Sequence, residues 1–205
     1  MGIPVLVLGS SGTGKTYSIK NFDIEEVGIF SVEKNRLPFK KKFKVCSNAT
    51  YAKINSTMKD PKLKKYIIDD SQYLLVNEFF DRAKETGYQK FTDMALNFRN
   101  LIHTINRDIP DDVIVYFLHH TELDINGKCK AKTIGKMLDE KLTVEGCFDI
   151  VLMTETDGTD FKFRTRTTGY DPVKTPEDLF KDELIPNDLK AVDEAIRAYY
   201  FSEDE

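Results

Sequence analysis

An unbroken apolar run at residues 3–8, Ile-Pro-Val-Leu-Val-Leu, leads straight into Gly9-Ser-Ser-Gly-Thr-Gly-Lys-Thr16. A run of that length, bounded by glycine on both sides, reads as a strand buried on both faces, as a central strand of a parallel sheet is. The octet satisfies G-x-x-x-x-G-K-[ST] and sits between that strand and a helix-length segment from Lys15. Each residue type has a physical reason. The glycines let successive backbone N–H groups curl around an anion, the lysine reaches the outer phosphates of a nucleoside triphosphate, and the hydroxyl ligates magnesium. With average glycine usage of about 7 %, chance would supply such an octet in roughly one chain of this length per hundred. ATP and Mg2+ are therefore the expected ligands. Gly9, Ser10, Ser11, Gly12, Thr13, Gly14, Lys15, Thr16 and Tyr17 are expected around the nucleotide, with Lys15 also serving the chemistry and Thr16 the metal.

Further apolar runs at residues 27–32, 66–68, 113–118 and 149–153 recur with helical patterns between several of them, which predicts an α/β fold with a mostly parallel sheet and covering helices. One helix is expected after Asp70, capped by Ser71 and stopped by Gly87. A second is expected from about Thr92 to before Pro110, with Met94, Leu96, Phe98, Leu101, Ile102 and Ile105 facing the core. Thr156-Asp-Gly-Thr159 reads as the turn of a late β-hairpin, and Asn187 as the cap of a last helix ending near Tyr200. At 205 residues the chain suits one domain, over residues 1–201, with 202–205 a frayed acidic tail. Cys46, Cys129 and Cys147 form no CxxC pair, so reduced cytosolic thiols are expected. No leader-like or membrane-length apolar segment is seen.

Triphosphate chemistry also needs a carboxylate on the metal side, at the end of a buried strand neighbouring the first. Lys65-Tyr-Ile-Ile-Asp-Asp70 supplies Asp69 for that role, with Asp70 either polarising water or opening the next helix. A water-activating group is expected at the carboxyl edge of the sheet, where Glu33 is the first choice and Asp70 its competitor. His119 and His120 end another strand at the same edge, so one of the pair is a candidate γ-phosphate sensor. No third Cys or His lies near enough in sequence to suggest zinc.

The net charge of −4 provides no global attraction to nucleic acid, so any such binding must rest on local patches. The basic runs at residues 34–44 and 128–141 are the two candidates, and a solvated face is the plain alternative for each.

Taken in order, Gly9-Ser-Ser-Gly-Thr-Gly-Lys-Thr16, Phe30-Ser-Val-Glu-Lys34, Ile67-Ile-Asp-Asp-Ser-Gln-Tyr-Leu74, Lys132-Thr-Ile-Gly-Lys-Met-Leu-Asp139 and Val173-Lys-Thr-Pro176 resemble phage-encoded AAA-type, RecA-core nucleotide-binding proteins. The likeness runs from Ile3 to Tyr200. It implies a RecA-like P-loop NTPase core with helices on both faces, and the cytoplasm of an infected or lysogenic bacterial host as the place of action. It also implies Gly14, Lys15 and Thr16 on phosphate and magnesium, Asp69 beside the metal and Glu33 as the water-activating carboxylate. Some members of the group look like single-strand annealing proteins that work with a single-strand-binding protein. In RecA-like proteins the loop after the sensor strand contacts DNA; here it spans residues 121–136 and carries Lys128, Lys130, Lys132 and Lys136 but no aromatic residue, so phosphate contacts would dominate over base stacking. A neighbouring subunit of a ring or filament is expected to complete the site with a basic residue, for which Arg164, Arg166 and Lys174 are candidates.

About fifty residues follow the fifth core strand, too few for a helical lid domain. The leading expectation is an oligomeric, ATP-hydrolysing phage protein of DNA recombination that binds single-stranded DNA. Its rival is a nucleotide-dependent switch or assembly ATPase with a protein partner. A small-molecule kinase is disfavoured, because no arginine-rich lid segment is seen.

Overall fold

The computed structural model describes residues 1–33, 36–135 and 142–202. In chain order the strands are β1 (Ile3–Leu8), β2 (Val27–Ser31), β3 (Val45–Ser47), β4 (Lys65–Asp69), β5 (Ile114–His119), β6 (Thr121–Leu123), β7 (Cys129–Ala131), β8 (Ile150–Thr156), β9 (Phe161–Arg164) and β10 (Leu184–Pro186). Eight of them form one sheet in the order β10-β9-β8-β1-β5-β4-β2-β3, while β6 and β7 pair as a separate hairpin. The six strands from β8 to β3 run parallel, and β9 and β10 add antiparallel to the β8 edge. The fold is thus α/β with a mostly parallel sheet, and the late hairpin forms as expected around the turn at Gly158.

Side chains of β1 alternate between two cores. Leu6 and Leu8 pack with helices α1 (Tyr51–Met58), α2 (Tyr73–Asp81) and α3 (Gln89–Asp108), whereas Val5 and Val7 pack with a 3-10 helix at Thr16–Asn21 and with α4 (Leu189–Phe201). All four of these β1 side chains are fully buried, so β1 is covered on both faces. No described helix is long and apolar enough to cross a membrane.

Several boundaries differ from expectation. Strand β4 does not neighbour β1: β5 lies between them, and β4 pairs with β2 and β5. A buried apolar run reads the same whichever strand it adjoins. Ser71 does not cap α2. Its amide donates to the Leu118 carbonyl at 2.9 Å and its hydroxyl oxygen lies 3.1 Å from the same carbonyl, which ties the β4 exit to β5 instead. Helix α2 ends at Asp81, ahead of Gly87. Helix α3 begins at Gln89, and Leu96 is 44 % exposed, because two residues on from the buried Met94 is the far side of a helix. Asp188, not Asn187, caps α4 by accepting from the Lys190 and Ala191 amides.

The segment after Lys15 makes only a six-residue 3-10 helix. Phe22 leaves the helical conformation to enter the core, and Lys41 Nζ donates to the carbonyls of Lys20 and Phe22, satisfying the helix end. Of the 202–205 tail only Ser202 is described.

Candidate functional site

The carboxyl ends of the parallel strands bring the 9–16 loop, Asp69, Asp70 and His120 to one edge, the region where open α/β sheets form crevices. A cavity of about 650 Å³ opens there, lined by Ser11, Gly12, Gly14, Lys15, Thr16 and Tyr17 on one side and by Asp69, Asp70, Tyr73 and His120 on the other.

Two glycines shape the loop. Gly14 has φ +96, in the left-handed region, and a Cβ there would lie 2.8 Å from the Phe161 ring. At Gly9 a Cβ would meet Thr154 Oγ1 at 1.9 Å, because that hydroxyl caps the β1 exit by donating to the Leu8 carbonyl at 3.2 Å. Gly9→Ala should therefore destabilise the protein by about 2 kcal/mol. Urea unfolding checks this: Thr154→Ala in the same chain should recover part of the loss, and an unchanged midpoint for the single variant would contradict the close approach.

Lys15 is 6 % exposed and its Nζ donates to the carbonyls of Gly9 and Ser10, at 2.8 and 2.9 Å. Burial lowers its pKa to about 8, against the opposing charges of Asp70 and Asp69. Thr16 Oγ1 donates to Asp69 Oδ1 at 2.9 Å, bridging the loop to the end of β4 across the intervening β5. The Asp69 carboxyl is pushed up to about 6 by burial and then by the charge of Asp70, with the Thr16 bond and Lys15 opposing. A hydroxyl and a carboxylate meeting in this way form a hard-oxygen pair that fits magnesium, which takes one or two protein oxygens and fills its remaining positions with phosphate and water. Among the described residues no group of three or more His, Cys, Asp or Glu could hold a metal by itself.

Asp70 follows with φ +58, a left-handed conformation that costs a non-glycine residue roughly 1 kcal/mol. It turns the chain so that Asp70 lines the cavity beside Asp69 rather than continuing β4. His120 Nε2 lies 3.2 Å from Asp70 Oδ1, and the Gln72 side chain accepts from the His120 amide at 3.2 Å.

The two histidines, paired as alternatives by the sequence, separate here. His119 is fully buried, and its Nε2 must donate to the Lys132 carbonyl at 2.8 Å, leaving Nδ1 to accept from Ser71 Oγ at 2.8 Å. Burial lowers its pKa to about 4, so it stays neutral and pins the segment after β7. Only His120 faces the cavity. Glu33 accepts from Asn77 Nδ2 at 3.1 Å and is not among the cavity-lining residues, whereas its competitor Asp70 is.

Arg36, Pro38, Tyr73 and Phe161 also line the cavity and were not singled out from the sequence. The Arg36 signal lay inside the basic run at 34–44, where neither periodicity nor spacing distinguishes one cation from its neighbours.

The segment after β5 is not an open loop: β6 and β7 form a hairpin, and Ser10 Oγ lies 3.3 Å from Thr121 Oγ1 at its base. Lys128 is exposed at the tip, Lys130 pairs with Glu122 at 3.2 Å, Lys132 is exposed just past β7, and Lys136 falls outside the described residues. Leu123 and Ile125 stand exposed on the same tip, at 70 % and 101 %.

Arg164 is held by an ion pair with Glu155 across the late hairpin. Arg166 donates to the Lys181 carbonyl at 3.3 Å, and with Lys174 it lines a second cleft of about 430 Å³. None of the three lines the cavity of its own chain. The three cysteines are free and half-buried. Compared with models of known protein families and with curated proteins, the chain matches none.

Proposed function

We propose that this protein is a magnesium-dependent ATPase with a RecA-like P-loop core, acting as an oligomer on single-stranded DNA in phage recombination or annealing. The observation that carries the nucleotide reading is the Thr16–Asp69 hydrogen bond beside the buried Lys15, at the mouth of a cavity walled by glycines. In this reading Lys15 Nζ exchanges the Gly9 and Ser10 carbonyls for β and γ phosphate oxygens, and the loop amides hold the β phosphate. Thr16 and Asp69 would hold magnesium, whose charge would neutralise that developing on the phosphoryl oxygens. Asp70, oriented by His120, takes the proton of the attacking water.

Asp70→Asn should therefore lower kcat by about 10²-fold, whereas Glu33→Gln should lower it by less than about tenfold. Steady-state phosphate release measures both, and the reverse order would return the role to Glu33. Arg166 and Lys174 are the better candidates to serve a neighbouring subunit, since Arg164 already has Glu155 as its partner.

The Ser10–Thr121 contact supports coupling between nucleotide and the β6–β7 hairpin, whose lysines would meet DNA phosphates. ATP hydrolysis measured with and without single-stranded DNA tests this. Stimulation that is lost when Lys128, Lys130 and Lys132 become alanine supports the DNA role, in the host cytoplasm and with or without a single-strand-binding protein. ATP binding with no response to DNA favours the second reading, a nucleotide-dependent switch with a protein partner. The exposed Leu123 and Ile125 support that alternative, because apolar tips suit protein better than phosphate.

A further inference from the structure

Beside the main cavity runs a cleft of about 330 Å³ between the 3-10 helix and the β9–β10 edge. Tyr17 and Phe161 line both spaces, so the two adjoin at this ring pair. Their rings lie 5.8 Å apart at 44°, and Lys20 Nζ stands 3.8 Å over the Tyr17 ring. At the inner end is Asn187, 7 % exposed, whose side-chain Oδ1 and Nδ2 have no hydrogen-bond partner among the described residues. A buried carboxamide with neither group paired is costly and uncommon, and a ligand that completes it is one physical reason for keeping it.

The neighbours of Asn187 hold it in this position. Its own amide donates to the Phe161 carbonyl at 3.3 Å, and the next residue, Asp188, caps α4 and accepts from Asn21 Nδ2 at 2.7 Å. A Cβ on Gly14 would fall 3.3 Å from Asn187 Oδ1, so the carboxamide lies against the 9–16 loop itself.

We propose that this cleft takes the base of the nucleotide whose phosphates occupy the main cavity, and that Asn187 selects adenine by a two-point hydrogen bond to its edge. The inference rests on the phosphate site proposed above. A carboxamide sets one donor beside one acceptor, which complements the adenine amino group and N7; on that same edge guanine offers two acceptors, N7 and O6, and leaves Oδ1 facing a carbonyl oxygen. Tyr17 and Phe161 supply apolar faces for the ring. Phe161, half-buried on β9, stands over Gly14 and turns aside as the base enters.

The test is calorimetric titration of ATP, GTP and inorganic tripolyphosphate, each with magnesium, into the wild-type chain and into Asn187→Leu and Asn187→Ala. The leucine keeps the side-chain volume and the alanine avoids crowding Gly14; tripolyphosphate binding reports that either variant is folded. The expected result is wild-type preference for ATP over GTP, with tripolyphosphate affinity within about twofold of wild type in the variants. ATP affinity should fall about tenfold or more and the preference over GTP should collapse. Unchanged ATP affinity and preference in a variant that still binds tripolyphosphate would overturn the base site alone, as would wild-type protein that binds tripolyphosphate as tightly as ATP. Wild-type protein that bound neither ATP nor tripolyphosphate would overturn the phosphate site and the base site together.

Discussion

Replacing Lys15 by alanine is expected to lower ATP turnover by about 10²- to 10³-fold, the range seen when one preorganised charge-stabilising donor is removed. The ammonium is almost wholly out of water, and its present partners are two carbonyls of its own loop. An incoming phosphate oxygen can therefore take the place of a loop carbonyl, and the charge acts in a poorly screened setting. The same burial leaves a signature in the ligand-free protein. An amine whose pKa falls to about 8 on folding penalises the folded state fully below pH 8. The penalty shrinks as pH rises towards the ordinary value of 10.5, since the unfolded chain then binds more protons than the folded one. Wild type should accordingly gain up to about 3 kcal/mol relative to Lys15→Ala between pH 8 and 10. Phosphate release and paired denaturant melts at the two pH values check the two halves. Turnover within tenfold of wild type would remove Lys15 from the chemistry, and parallel pH profiles would mean that the ammonium is not desolvated.

Asp69→Asn should separate stability from function in the opposite direction. The carboxylate is 3 % exposed and lies next to Asp70, so its ionised form is disfavoured on folding. Its pKa rises from 3.8 to about 6, so the folded state carries no penalty from this group below pH 4, a growing one between 4 and 6, and the full one above 6. Asparagine is close in shape and its Oδ1 can still accept from Thr16, so the variant should be more stable than wild type by about 2 kcal/mol at pH 7 and equal to it at pH 4. Turnover should nevertheless fall by about 10²-fold, because a neutral amide is a poor magnesium ligand and the nucleotide would lose its charge neutralisation. Urea unfolding at both pH values, together with magnesium titrations of ATPase activity, tests this. A variant less stable at pH 7 would show that the carboxylate is better solvated than its burial implies, and an unaltered magnesium dependence would take Asp69 off the metal.

How far the site could be read from the chain differs residue by residue. The 9–16 loop was legible because cradling a phosphate would require particular residue types at fixed spacing, and the strand before it announces itself by length and apolarity. Asp69 was legible because an aspartate after Tyr66-Ile-Ile68 ends a buried run. His119 and His120 were not separable, since consecutive residues at a strand end carry no mark of which one turns inward; burial decided it, with Ser71 and the Lys132 carbonyl as partners. Between Glu33 and Asp70 the sequence favoured Glu33, and only the left-handed turn at Asp70 shows which of the two lines the cavity. Strands β3, β6, β7 and β10 have three residues each, too short for an alternation to register.

Local patterns of polarity and backbone freedom were enough to specify the α/β class, the glycine-lysine loop on a buried strand and the carboxylates at a strand end. Long-range packing is what sets β5 between β1 and β4, lets Thr16 and Asp69 meet across it, and gathers Arg36, Phe161 and Asn187 around the same loop. Those are contacts between segments far apart along the chain. They arise from how buried faces pack and which strands become neighbours, and nothing in the spacing of nearby residues records that.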